Sequence, residues 1–189
     1  MSISQPPVSS LDNLMSHLAP PDRALLQQEG VVVMGENGQY TAMVLAKADW
    51  QTAWAVIRDY ENFARFLPTV VSSRVIEAAG NRKVVEQVDS RDVMLTTLES
   101  TLRTENIEKE REIEFRLIAG DLETLEGFWR LDAIADSASG SLQTLITQQV
   151  TAQADIGLLD GAFYSIFESS LKENIQAIAA EAERRTQLA

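Results

Sequence analysis

Two glutamines occupy positions where an amide would be informative. Gln148 alternates with Leu142, Ile146 and Val150 along one extended run, and Gln87 shares a face with Val85 in another. An amide offers an acceptor and two donors, so either side chain suits a ligand carbonyl or hydroxyl, and equally the backbone of a neighbouring strand. Glu99, Thr101 and Arg103 make a second polar row, opposite Met94, Leu98 and Leu102. If the apolar row faces the core, Glu99 and Arg103 are a solvated cross-strand pair; acid–base chemistry there requires the opposite register.

Other chemistries lack their parts. The chain has no cysteine, which removes disulfides, thiolate metal sites and cysteine nucleophiles together. Its single histidine, His17, lies in the N-terminal segment. No Gly-x-Ser-x-Gly elbow or His-Glu-x-x-His pair occurs. Glu105, Glu108, Glu110, Glu112 and Glu114 run around a turn with Lys109 and Arg111 interleaved, the composition of a solvated hairpin. The GENG tetrapeptide lacks the strand-to-helix context of a phosphate loop. No catalytic residue, metal ligand or cofactor is therefore assigned.

The elements that must position the glutamines follow from periodicity. Residues 1–27, with Pro6, Pro7, Pro20 and Pro21, have the composition of a flexible leader; Ser10 can cap a short helix carrying Leu11, Leu14, Met15 and Leu18. One domain is expected over 28–187. VVVM, GENG and QYTAMVLA give two extended runs joined by a turn. Asp49 caps a helix bearing Trp50, Ala53, Trp54 and Ile57, and Asp59 a second one bearing Phe63 and Phe66, ended by Pro68.

Six further runs follow: Val71 to Ala79, Arg82 to Asp89, Asp92 to Thr104, Glu110 to Ala119, Glu123 to Ile134 and Leu142 to Gln153. Short links such as Gly80-Asn81 make neighbours antiparallel. Ile113, Phe115 and Leu117 oppose Glu112, Glu114 and Arg116, so one face meets water and the other is covered. The cover is a long C-terminal helix, in which Leu159, Phe163, Ile166, Phe167, Leu171, Ile175, Ile178 and Ala182 recur every three or four residues. The class is α+β: a curved antiparallel sheet of about seven strands around that helix, with two short helices after the first sheet strand.

Composition narrows the partners. Sixteen Lys and Arg against 28 Asp and Glu give a net charge of -12, a field that repels nucleic acid and anionic headgroups. The first twenty residues lack a positive region followed by an apolar one, and no stretch reaches the roughly 18 apolar residues of a membrane span. A cytoplasmic chain without stable membrane insertion is expected; the sequence does not set its oligomeric state.

The order strand, two short helices, meander and terminal helix resembles the START-like (SRPBCC) superfamily. WAVIRDYENFARFLPTVVSSRVIE is similar to that family's two-helix stretch, KVVEQV to its next strand, IAGDLETLEGFWRL to its late hairpin, and FESSLKENIQAIAAEAERR to its terminal helix. The match runs from about Gly30 to Arg185. It resembles most the polyketide cyclase/dehydrase, coenzyme Q-binding and lipid-transport members, in the form found in photosynthetic, cyanobacterial-like bacteria.

The resemblance implies a helix-grip fold with a cavity between sheet and helix. Trp54, Phe63, Phe66, Trp129, Phe163, Phe167 and Leu171 are the expected apolar lining, with Gln87 and Gln148 as polar contacts; core packing explains each apolar one singly. Three uses stay open. The first is a carrier or chaperone for a hydrophobic lipid, quinone or isoprenoid-like molecule. The second is a polyketide cyclase or dehydratase, which needs two titratable groups in the cavity. The third is a protein-interaction module without a ligand.

Overall fold

The structure, a computed structural model, describes residues 14–93, 96–135, 142–154 and 160–188. Ser10, Leu11, Met94 and Leu159 lie outside the described residues. Eight strands form one sheet: β1 (Val32–Glu36), β2 (Gln39–Ala46), β3 (Val70–Ala79), β4 (Arg82–Val93), β5 (Thr96–Lys109), β6 (Glu112–Gly120), β7 (Thr124–Ala135) and β8 (Leu142–Gln153). Their spatial order is β1-β2-β8-β7-β6-β5-β4-β3, every pair antiparallel. The α-helices bounded within the described residues are α1 (Pro20–Gln27), α2 (Trp50–Ile57), α3 (Phe63–Phe66) and α4 (Asp160–Gln187). This is the expected helix-grip arrangement, with eight strands rather than about seven and the short helices after the first hairpin.

Local chemistry accounts for the joints. Asn37 and Gly38 both take positive φ, 52° and 85°, the two-residue turn whose twist matches a hairpin. A Cβ on Gly38 would lie 2.2 Å from the Ala152 carbonyl oxygen, so the β1–β2 turn and β8 require glycine there. Asp49 caps α2, accepting from the Thr52 backbone N–H at 2.8 Å. Asp59 makes no such cap: its carboxylate instead accepts from Asn62 Nδ2 at 2.7 Å and from Arg185 Nη2 at 2.7 Å. It thereby ties the short 3-10 turn at Tyr60–Asn62 to the end of α4.

The β4–β5 boundary also differs from expectation. The expected runs Arg82 to Asp89 and Asp92 to Thr104 put the link at 90–91, yet β4 continues to Val93 and β5 begins at Thr96. The strand survives because Arg91 Nη1 donates to Glu173 Oε2 of α4 at 2.8 Å, and the Ser90 N–H donates to the Thr69 carbonyl at 2.8 Å.

Two apolar layers hold the sheet. On the concave face Val44, Ile146, Leu131 and Ile113 meet Val56 and Ile57 of α2 and Leu171, Ile175, Ile178 and Ala182 of α4. On the convex face Val32, Met43, Leu45, Ile134 and Leu145 are covered by Met15, Leu18 and Leu26. Met15 and Leu26 are wholly buried there. Full burial of such side chains stabilises by roughly 1.5–3 kcal/mol each before entropy, which fastens residues 14–27 to the back of β1, β2, β7 and β8.

The convex face of β3–β6 carries charge instead. Glu86 lies between Arg74 and Arg103, and Glu105 between Arg82 and Arg116. Arg103 therefore pairs with Glu86 rather than Glu99. The acid-rich turn is solvated except at Glu108, which points to the concave side, is 9% exposed and pairs with Arg58 at 2.6 Å.

Candidate functional site

The roof of the concave face is uneven. The apolar stripe of α4 has one period throughout, but its two halves differ in burial. Leu171, Ile175, Ile178 and Ala182 are buried, whereas Phe163, Ile166 and Phe167 are partly exposed. The helix packs chiefly on β2 and α2 and touches the middle strands little; its N-terminal half meets Tyr40 of β2, whose hydroxyl donates to the Tyr164 carbonyl at 3.4 Å. Below it, concave-face residues in the middle of the sheet stay accessible: Leu117 on β6, Leu125 and Trp129 on β7, and Gln148 on β8. Gly127, between Leu125 and Trp129, adds no side chain to that floor, and Ala42 opposite Gln148 adds a methyl. A packed interior would have buried these positions.

The far wall is polar. Gln87, Asp89 and Arg91 alternate with outward residues on β4, so they share the concave face with Val85. Ser73 of β3 stands opposite Gln87, and Ser100 of β5 opposite Asp89. Gln87 Nε2 donates to both Asp89 oxygens at 3.1 and 2.9 Å. The Thr69 hydroxyl donates to Asp89 Oδ1 at 2.9 Å and accepts from Asn174 Nδ2 of α4 at 2.9 Å. This link and Arg91–Glu173 fasten the roof to the wall opposite the one on which it packs.

Several polar atoms of this wall lack partners. Nε and Nη2 of Arg91 and the hydroxyls of Ser73 and Ser100 are buried and make no hydrogen bond among the described residues. Each buried unsatisfied group costs roughly 1–3 kcal/mol, so such a cluster marks a place that a bound oxygen atom would complete. Burial pushes the Asp89 carboxyl above its ordinary range, opposed by the Gln87 and Thr69 hydrogen bonds and the nearby Arg91 charge.

The residues expected to line a cavity fall into three places. Trp129 and Gln148 face one another directly across β7 and β8 on the open floor. Phe163 and Phe167 are stacked 5.8 Å apart on the roof, and Tyr40 lies 6.0 Å from Phe167. Gln87 belongs to the polar wall. Leu171 is 5% exposed and part of the packed core.

Trp54, Phe63 and Phe66 sit at the opposite end, partly buried against the core. Arg58 lies 5.3 Å above the Trp54 ring, and Phe66 lies beneath Arg185 at 5.8 Å. Phe66 lines a surface cleft of about 310 Å³ with Arg65, Arg184 and Arg185 and their acids Asp59 and Glu181. A second cleft of about 390 Å³ beside it is lined by Arg58, Tyr60, Val75 and Lys83. Burial, and secondarily the Glu108 charge, pushes the Tyr60 phenol upward.

Sequence reasoning missed Asp89, Arg91, Ser73, Ser100, Thr69 and Asn174. The signal was present: continuing the period of two from Val85 and Gln87 reaches Asp89 and Arg91. Among the described residues no group of three or more His, Cys, Asp or Glu could hold a metal ion, and no helix is long and apolar enough to cross a membrane.

Comparison with known proteins places this geometry. A protein of Thermus thermophilus superposes with a TM-score of 0.61 at 19% identity, covering 78% of this chain and 96% of its own. The Zhui aromatase/cyclase of a Streptomyces species superposes at 0.58 with 21% identity, covering 78% and 94%. A STAR-related lipid transfer protein of Xanthomonas axonopodis superposes at 0.60 with 13% identity, covering 80% and 92%. At these identities the likeness is one of fold. No curated protein matches the chain. The family model described as polyketide cyclase/dehydrase and lipid transport matches residues 47–179, from the end of β2 to the buried half of α4. A curved sheet gripping one helix and that match lead to one conclusion: the chain belongs to the polyketide cyclase/dehydrase and lipid transport family.

Proposed function

We propose that this protein binds an apolar small molecule bearing an oxygen acceptor at one end, and shields it without altering it. The observation that carries the reading is the accessibility of Leu117, Leu125, Trp129 and Gln148 in the middle of a concave face roofed by a helix. Apolar walls with a few convergent polar groups are the ordinary make-up of a small-molecule seat. Phe163, Phe167 and Trp129 supply aromatic wall, and the orphan donors of Arg91, Ser73 and Ser100 supply the polar end. Trp54, Phe63 and Phe66 pack against the core at the opposite end and lie outside the proposed seat.

Native mass spectrometry of protein purified from its own host, followed by organic extraction, tests this. A co-purifying lipid, quinone or isoprenoid-like molecule, absent from an Arg91→Met preparation, is the expected result. Chain recovered empty from its host, and unable to take up an apolar fluorophore, refutes it.

One observation favours a second reading. Asp89, raised by burial, stands two residues from Arg91 on one face. An acid beside a guanidinium is the pair an aldol closure or dehydration uses. Both Asp89 oxygens are already engaged by Gln87 and Thr69, however, which suits a fixed acceptor better than a proton carrier. Turnover of a polyketide-like precursor that is lost in Asp89→Asn would establish the enzyme instead.

A further inference from the structure

The polar stations on the concave face are not contiguous. One is the β4 wall, where Asp89 and Arg91 stand with Ser100. The other is the cross-strand pair Trp129 and Gln148 on β7 and β8. Neither the Trp129 indole nor the Gln148 amide makes a hydrogen bond among the described residues, and both are partly exposed.

Three strands lie between β4 and β8, about 19 Å across, and the register Gln148–Trp129–Ile113–Glu108 comes out at the start of β4, about seven residues along the strand from Asp89, so the stations stand roughly 30 Å apart along the curved surface, and less in a straight line. The concave positions between them include Leu102, Phe115, Leu117 and Leu125. A single-headed lipid would leave its hydrocarbon end against an indole N–H and an amide, which then stay unpaired in an apolar surround. A chain with oxygen on every second carbon would leave oxygens unpaired against the leucines.

We propose that the ligand is two-headed: an elongated molecule with an apolar middle and an oxygen function at each end, one held at Asp89–Arg91 and the other at Trp129–Gln148. This rests on the concave face being the ligand seat. The β4 end takes an acceptor or acid, because Arg91 offers donors alone. The β7–β8 end takes a hydroxyl or carbonyl, because an amide both donates and accepts while an indole donates.

Calorimetric titration of the full chain with saturated acids from dodecanoic to tetracosanoic, each beside its ω-hydroxy derivative, tests the inference. At the matching length the hydroxy acid is expected to bind about fivefold tighter or more, although a terminal hydroxyl weakens entry into a purely apolar pocket. Gln148→Leu and, separately, Trp129→Phe should erase that preference, bringing the hydroxy acid down to or below the affinity of the plain acid in the same variant. Tighter binding of the plain acid at every length overturns the two-headed ligand alone. Binding of neither series overturns the seat itself, and this inference with it.

Discussion

Replacing Arg91 by methionine should separate what this residue does for the fold from what it does for a ligand. The guanidinium is 22% exposed, makes one ion pair to Glu173 and leaves Nε and Nη2 buried without partners. Losing the ion pair costs about 0–1 kcal/mol, since Glu173 is half exposed and rehydrates. Removing the two orphan donors returns at most roughly 1–3 kcal/mol in total, and methionine fills comparable volume. The empty protein should therefore be unchanged or more stable by up to about 2 kcal/mol. A ligand acid loses a charge-assisted bond of roughly 1.5–3 kcal/mol, an affinity loss of about 10- to 100-fold. Urea unfolding of the apo protein and calorimetry with hexadecanoic acid read the two effects. An Arg91→Met chain that unfolds several kcal/mol more easily and binds the acid unchanged would refute the argument, making Arg91 a structural strut.

Asp89→Asn tests the buried acid through pH. A carboxyl raised in the folded state stabilises fully below its unfolded value of 3.8, and that contribution is lost as pH rises through the higher folded value. The variant should equal or exceed the wild type in urea midpoint at neutral pH, its advantage shrinking toward acid. Glu181 runs the other way. Hydrogen bonds from Arg184 and then Arg185 hold it at about 2, below 4.5, so its contribution is present above 4.5 and lost as pH falls toward 2. Because the arginines are partly solvated, Glu181→Gln should cost about 1–2 kcal/mol at neutral pH and nothing at the acid end, measured by urea unfolding across pH. Met15→Ala, at a wholly buried position on the convex face, should destabilise by roughly 2–5 kcal/mol; a change below about 0.5 kcal/mol would mean that residues 14–27 are not held by their apolar contacts.

The scaffold was legible because its signals are local and periodic. Ile113 and Phe115 alternate with Glu112 and Glu114 on β6, and the α4 stripe repeats every three to four residues, so both faces could be assigned from spacing. The candidate site was legible in its apolar part and in Gln87 and Gln148. Glu108 and Arg91 look like surface residues in sequence, and each is turned inward by a partner far along the chain: Arg58 for Glu108, Glu173 for Arg91. Thr69 and Asn174 meet across 105 residues, and no window of sequence contains both. The uneven seating of α4 was hidden for a related reason. Periodicity states which side of a helix is apolar, and how far that side stands from a sheet depends on strands elsewhere in the chain.

The pairing of β2 with β8 has a kinetic consequence. Strands β3 to β8 each lie beside the strand just before or after them, so that meander can form progressively from short-range closures. Residues 39–46 must instead wait for residues 144–151, a closure across about a hundred residues. During synthesis the first hairpin therefore emerges with one long edge unpaired and its concave face uncovered until β8 and α4 leave the ribosome. Late closure at this seam should govern the folding rate, and the β1–β2 hairpin is the segment most in need of protection from intermolecular pairing.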